Sequence, residues 1–228
     1  MSHDVPAQPE VAALPPEITV LIPAFNEEPR LGATLDAVLS HPALAGAQLV
    51  VIDDGSTDRT VELALGALRN RPNAHILMSP SNKGKGAAVR KGVVVARGRK
   101  VLVLDAGRPG ALSAAEAMLA RLDDADVVVG APPVGASLVS TRWRSGLRGF
   151  RAEVSRELFK RSLFDGLAVD AEILLIAQKL ELRIAELPLE LTPAPATKAR
   201  PLRDAAELAR MRLRHRGTHA LPSELRAA

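Results

Sequence analysis

Short aliphatic runs recur along this chain at a spacing that leaves room for one helix between each pair, and that alternation restricts the fold more than any other feature. Ile18-Thr19-Val20-Leu21-Ile22 reads as a buried strand, and Leu49-Val50-Val51-Ile52, the run over 75–78, Val101-Leu102-Val103-Leu104 and the run over 126–129 as further strands. The segments between them carry apolar residues at helical spacing, as Leu31, Leu35, Val38 and Leu39 do. Helices are expected over 31–39, 57–68, 86–96 and 113–122, with Ser56 as N-cap of the second and Pro23 ending the first strand. Strands separated by helices of this length build βαβ units. The expected fold is therefore a single α/β domain, a mostly parallel sheet flanked by helices. With four Phe, one Trp and no Tyr, the core must be aliphatic, which suits a sheet covered on both faces. The same scarcity removes the aromatic platforms on which nucleic-acid bases stack, so nucleic acid is not an expected partner.

Past residue 130 the rhythm changes. An Arg-rich stretch leads to expected helices over 152–160 and 169–180, a strand over 184–191 and a last helix over 202–215. The domain is expected over 17–216, between a polar, Pro-rich leader (1–16) and a flexible tail (217–228). There is no Cys, which excludes disulfides and thiolate metal sites, and the five His show no ligand spacing. No run approaches the roughly 20 apolar residues of a membrane span. A soluble, cytoplasmic protein is expected, with at most peripheral contact with an inner membrane face. The net charge of +4 is concentrated in basic runs over 83–100, 142–161 and 198–226. Such runs suit phosphate groups or an anionic membrane surface, or form an ordinary solvated face. In the last helix Leu202, Ala205, Ala209 and Leu213 share one side and Arg203, Arg210 and Arg214 the other, fit either to pack on the domain or to rest on anionic lipid.

Open parallel sheets bind ligands beyond the carboxyl ends of their strands, so the polar residues there are the candidate site. Asp53 and Asp54 follow the second strand, where carboxylates accept hydrogen bonds from a base N–H and from ribose hydroxyls; Gly55 permits the turn. Lys83 and Lys85 flank Gly84 where a helix opens, a place whose free N–H groups and dipole favour an anion. The segment is neither a P-loop nor a dinucleotide fingerprint, since GxxxxGK[ST] is absent and the first strand turns through Pro-Ala-Phe.

Taken in order, VLIPAFNEEPRL, VVIDDGSTDRT, SNKGKGAAVRKG and a strand ending in Asp105 resemble the signature of the family-2 glycosyltransferases with the GT-A fold. The resemblance extends to the polyprenyl-phosphate (dolichyl-phosphate) sugar synthases through DGLAVDAEILLIAQKLELRIAELPLEL and TKARPLRDAAELARMRLR. It implies an inverting transfer of a sugar from a UDP- or GDP-sugar donor to a phosphate or hydroxyl acceptor. Pro23, Ala24, Asn26 and Glu27 match the segment shaping the nucleotide pocket, and Asp53 and Asp54 the acids that read base and ribose. Asn82, Lys83, Gly84 and Lys85 match the segment near base and diphosphate. Asp105 matches the first Asp of the DxD motif, which in such enzymes holds Mg2+ or Mn2+ on the diphosphate.

The sequence departs from that pattern where chemistry belongs. Gly107 stands at the second Asp of DxD, leaving Asp105 as a lone, weaker metal ligand with Arg108 beside it to meet the diphosphate. Ala131-Pro132-Pro133 replaces an expected Arg, and the acceptor region is shortened to a remnant, Gly149-Phe150-Arg151. Arg142, Arg144, Arg148 and Arg151 read either as a phosphate site or as a solvated basic surface. Asp165, Asp170 and Glu172 match a segment that brings carboxylates to the acceptor, or serve only as helix-start acids. A phosphate acceptor needs no general base; for a hydroxyl, Asp170 is the first candidate and Asp165 the second. Three readings follow: a metal-assisted transferase, a degenerate protein that binds a nucleotide-sugar without transfer, or, on the basic runs alone, a membrane-associated partner subunit.

Overall fold

The computed structural model describes residues 15–131, 146–189, 210 and 213–215. The leader over 1–14, the tail, Pro132 and Pro133, Arg142 and Arg144, and most of the expected last helix lie outside the described residues. The strands are β1 (Ile18–Ala24), β2 (Gln48–Asp53), β3 (Ala74–Met78), β4 (Lys100–Leu104), β5 (Val127–Ala131), β6 (Leu147–Arg151) and β7 (Ile184–Pro188). The helices are α1 (Glu28–Ser40), α2 (Thr60–Leu68), α3 (Lys85–Val95), α4 (Ala115–Arg121), α5 (Ala152–Arg161) and α6 (Val169–Lys179). The strands form one sheet in the order β3-β2-β1-β4-β6-β5-β7. All pairings are parallel except those of β6, which runs antiparallel to both neighbours.

Unbroken aliphatic runs arise because both faces of the sheet are covered, and the alternation of the strand divides each run between two cores. Val20, Ile22, Leu49, Val51, Leu102 and Leu104 pack with α1 and α4 on one face. Leu21, Val50, Ile52, Val101 and Val103 pack with α3, α5 and α6 on the other.

Three expectations are corrected. Pro23 does not end β1; the strand runs on to Ala24. The Ala24 carbonyl accepts from Asp54 N–H on the β2 side, so the alternation of a parallel strand turns position 23 towards β4. Pairing with β4 stops at Leu21, so the missing N–H of proline costs no ladder bond. Helix α2 begins at Thr60, three residues later than expected, because Ser56 Oγ accepts from Asn26 N–H and Asp58 takes the Thr60 N–H instead. The third is β6, a strand where the sequence showed only an Arg-rich lead-in to a helix. Leu147 enters the α1/α4 core, and Gly149 lies so close to Met118 that a Cβ would sit 2.9 Å from its Cγ. Phe150 faces the other core and meets Phe159 edge-on at 5.8 Å. The same alternation puts Arg148 on the Phe150 face, among the first residues of α3 and α6.

Candidate active site

Chain order reverses beside β1: β2 and β3 lie on one side and β4 on the other. This is the switch point at which the carboxyl ends of parallel strands leave a crevice. The loops after β1, β2 and β4 open into it, and so do the starts of α3 and α6.

The β1 and β2 loops are locked together. Asn26, in the left-handed region at φ 53°, accepts the Thr57 N–H on its side-chain oxygen at 2.9 Å. Glu27 N–H donates to Thr60 Oγ1 at 2.8 Å and Glu28 N–H to Asp58 at 3.1 Å. Asn26 therefore holds the wall of the crevice.

Asp53 and Asp54 are both buried, with different tasks. Asp53 shapes its own turn, its Oδ2 accepting the N–H groups of Gly55 at 3.1 Å and Ser56 at 3.2 Å. Asp54 Oδ2 accepts the N–H groups of Lys83 at 3.0 Å and Gly84 at 2.5 Å, tying β2 to the start of α3. Its Oδ1 is buried without a donor among the described residues.

The start of α3 is not the open anion site that the sequence suggested. Besides the two N–H groups held by Asp54, those of Gly86 and Ala87 donate to the Asp165 carbonyl at 2.6 and 3.3 Å. Gly84, at φ 108°, allows this contact, since a Cβ there would lie 2.5 Å from the same carbonyl oxygen. The Asp165 carboxylate turns away to pair with Arg90. Asn82 and Lys83 remain exposed beside the loop.

Lys85, Asp105, Arg148 and Asp170 meet at the centre. Lys85 Nζ lies 2.6 Å from Asp105 Oδ1 and 2.8 Å from Asp170 Oδ2. Arg148 Nη2 lies 2.6 Å from the same Asp170 oxygen, and its Nη1 3.7 Å from Asp105 Oδ1. Burial opposes the charge on Asp105, but Lys85, Arg148 and the more distant Arg108 outweigh it and hold the carboxyl below its ordinary range. Arg148 is 4% exposed, so the solvated-surface reading fails for it. Arg151 sits elsewhere, against Asp126 and Glu153. Glu172 is a structural acid: buried, it accepts the N–H groups of Leu163 and Phe164 at 2.8 and 3.0 Å and contacts His215 Nε2 at 2.6 Å.

Sequence reasoning assigned Asp105 to the diphosphate and Asp170 to the acceptor, and missed that the two share cations. It also missed what fills the space at Gly107. A Cβ there would lie 2.9 Å from Arg30 Cδ and 3.6 Å from Glu27 Oε2, and those two side chains are themselves paired at 2.6 Å. Arg108 packs its aliphatic stem over Gly146, and its N–H donates to the Asp105 carbonyl at 3.0 Å.

The pattern for Glycosyl transferase family 2 matches residues 19–173, from the second residue of β1 into α6. The chain belongs to glycosyltransferase family 2. Family members similar to it include the dolichyl-phosphate beta-glucosyltransferases of Trichomonas vaginalis and Dictyostelium discoideum, each 27% identical over 87% of this chain and 74% of theirs. Among solved structures, glucosyl-3-phosphoglycerate synthase from Mycobacterium tuberculosis, in complex with Mn2+, UDP and glucosyl-3-phosphoglycerate, aligns with a TM-score of 0.65. It is 22% identical, over 91% of this chain and 82% of that one. A mannosyltransferase from Pyrobaculum calidifontis, in complex with GDP-Man and Mn2+, aligns at 0.66 with 21% identity, over 92% and 67%. The fold is GT-A, as the motifs implied, and the chain is a glycosyltransferase. Among the described residues no helix is long and apolar enough to cross a membrane.

Those two structural neighbours hold Mn2+; the side chains here suit it poorly. Among the described residues no three carboxylates or histidines gather into a possible metal site. Asp105 already binds an ammonium, and Arg30 fills the place of a second carboxylate at 107. A divalent ion in such a site draws on one or two carboxylates with phosphate and water, and here both carboxylates, Asp105 and Asp170, are already engaged by Lys85 and Arg148.

Proposed function

We propose that the crevice binds a nucleoside-diphosphate sugar, with UDP or GDP as the nucleotide, and passes the sugar with inversion to a phosphate acceptor. The base lies against Asp54 and the diphosphate against the Lys85–Asp105–Arg108 side. One observation carries this reading. Asp54 Oδ1 is a buried acceptor with no donor among the described residues, in the turn directly after β2. Leaving such an atom unsatisfied costs about 1–3 kcal/mol, which a ligand N–H recovers. The UDP and GDP-Man carried by the two structural neighbours support the donor class.

In the transfer, an acceptor oxygen bonds to the anomeric carbon while the bond from that carbon to the diphosphate oxygen breaks. The electron pair leaves with the nucleoside diphosphate, whose developing charge faces Arg108. A hydroxyl acceptor would have to give up a proton. Asp170 Oδ2 is already engaged by Lys85 and Arg148, and Asp165 by Arg90. A phosphate acceptor needs no base, and the dolichyl-phosphate beta-glucosyltransferases among the relatives fit that choice. Binding without transfer is a second reading, favoured by the lost carboxylate at Gly107.

Asp54→Asn tests the donor side. The amide keeps its oxygen towards the Lys83 and Gly84 N–H groups, so its NH2 faces the base N–H, donor against donor. Calorimetry with UDP and GDP should show binding weakened by about 1.5–3 kcal/mol, tenfold or more. Unchanged affinity in the folded variant would refute the assignment.

A further inference from the structure

We propose that Lys85 and Arg148 stand in for a divalent cation, so that the nucleoside diphosphate binds here without metal. This rests on the nucleotide reading above and adds the chemistry by which the diphosphate end of the site is balanced.

Asp105, the metal ligand that the motif offers, and Asp170 both reach the same ammonium, at 2.6 and 2.8 Å. Arg148 adds a second cation, 2.6 Å from Asp170 and 3.7 Å from Asp105. Two negative charges are thus matched by two positive ones that belong to the fold. Neither cation is easily displaced. Arg148 sits within β6, between β4 and β5, and its guanidinium stays protonated. Lys85 is the first residue of α3, and its side chain is 10% exposed. A metal lodged between Asp105 and Asp170 would have to expel the ammonium and leave it buried without its partners, which is the costly way to break a buried pair.

The neighbouring position repeats the exchange. At Gly107 the space beyond the backbone holds the Arg30 side chain, itself balanced by Glu27. Arg108 has no carboxylate partner among the described residues. Its guanidinium is a positive charge left for a phosphate oxygen, and the exposed Lys83 beside the loop is another. A carboxylate-and-metal site has become a cation-and-carboxylate site around the same Asp105.

The test is calorimetric titration of UDP and of GDP into the full chain, once in EDTA and once with Mn2+. Affinities should agree within about twofold, whereas binding tighter by about tenfold or more with Mn2+ would overturn the proposal. Mn2+ alone, followed by its EPR signal, should show no saturable site; one bound ion per chain would overturn it too. Lys85→Ala leaves Asp105 and Asp170 sharing the vacated space, so this variant should acquire Mn2+ binding, and nucleotide binding that EDTA abolishes. Lys85→Met, which keeps the length of the side chain, serves if the alanine variant loses its circular-dichroism signal. A folded Lys85 variant that binds UDP in EDTA as the wild type does would contradict the role of the ammonium. If neither nucleotide binds under any condition, the nucleotide reading itself falls and takes this inference with it.

Discussion

Single residues in this site mostly hold one another, and that changes which substitutions matter. Gly84 shows it most plainly. Its φ of 108° and the 2.5 Å between a hypothetical Cβ and the Asp165 carbonyl leave no room for a side chain. Gly84→Ala should lower stability by about 1–3 kcal/mol, read from the urea midpoint, because the left-handed strain and the backbone clash act together. An unchanged midpoint would mean that the closure of the 165 loop over α3 is wrong. Asp54 and Asp105 stood out in the sequence because they close aliphatic runs, and Lys83 and Lys85 because they flank Gly84 where a helix opens. The partners of those residues did not. Lys85 meets Asp170 across 85 positions of chain, and that pairing depends on α3 and α6 starting at the same edge of the sheet. Arg148 was one of four arginines that read alike as a phosphate site or a solvated surface, until strand alternation placed it on the Phe150 face.

At the scale of elements, β1, β2, β4 and β5 were legible because burial on both faces demands unbroken aliphatic runs with polar, glycine-bearing turns between them; the part-buried edge strands β3 and β7 and the six helices followed from the alternation. β6 was not legible. Its five residues, Leu147-Arg148-Gly149-Phe150-Arg151, include two arginines and a glycine, so no aliphatic run marks it. It is a strand because β4 and β5 pair with both its edges. The outer half of the sheet is further clipped by Asp126, which accepts from the Arg183 backbone N–H at 2.9 Å, from Nε at 3.1 Å and from Nη2 at 2.9 Å. Asp126→Ala should cost about 1–2 kcal/mol, since the Arg183 side chain is more than half exposed and solvent weakens its share. Chemical denaturation measures this, and a loss near zero would show that the β5–β7 ladder holds without the clip.

Over the whole molecule the same clip sets an acid limit. Burial raises the Asp126 carboxyl, but the hydrogen bonds and charge of Arg183, with Arg151 beyond, prevail and hold it below its ordinary value of 3.8. A depressed folded value means that this stabilisation is complete above about pH 4 and is lost as pH falls through the lower folded value. The stability gap between wild type and Asp126→Ala should therefore persist from about pH 7 to 5 and close in stronger acid. A gap that widens in acid would reverse the sign of this linkage. The central claim concerns the crevice between β1 and β4, where the base, the diphosphate and the chain's own cations are assigned adjoining places. A crystal structure with UDP or GDP soaked in the presence of EDTA tests all three together. The density should show a base N–H within hydrogen-bond distance of Asp54 Oδ1, diphosphate oxygens on Arg108, and Lys85 still paired with Asp105. A nucleotide bound elsewhere, or Asp54 Oδ1 left without a donor while the nucleotide occupies the crevice, would contradict that claim.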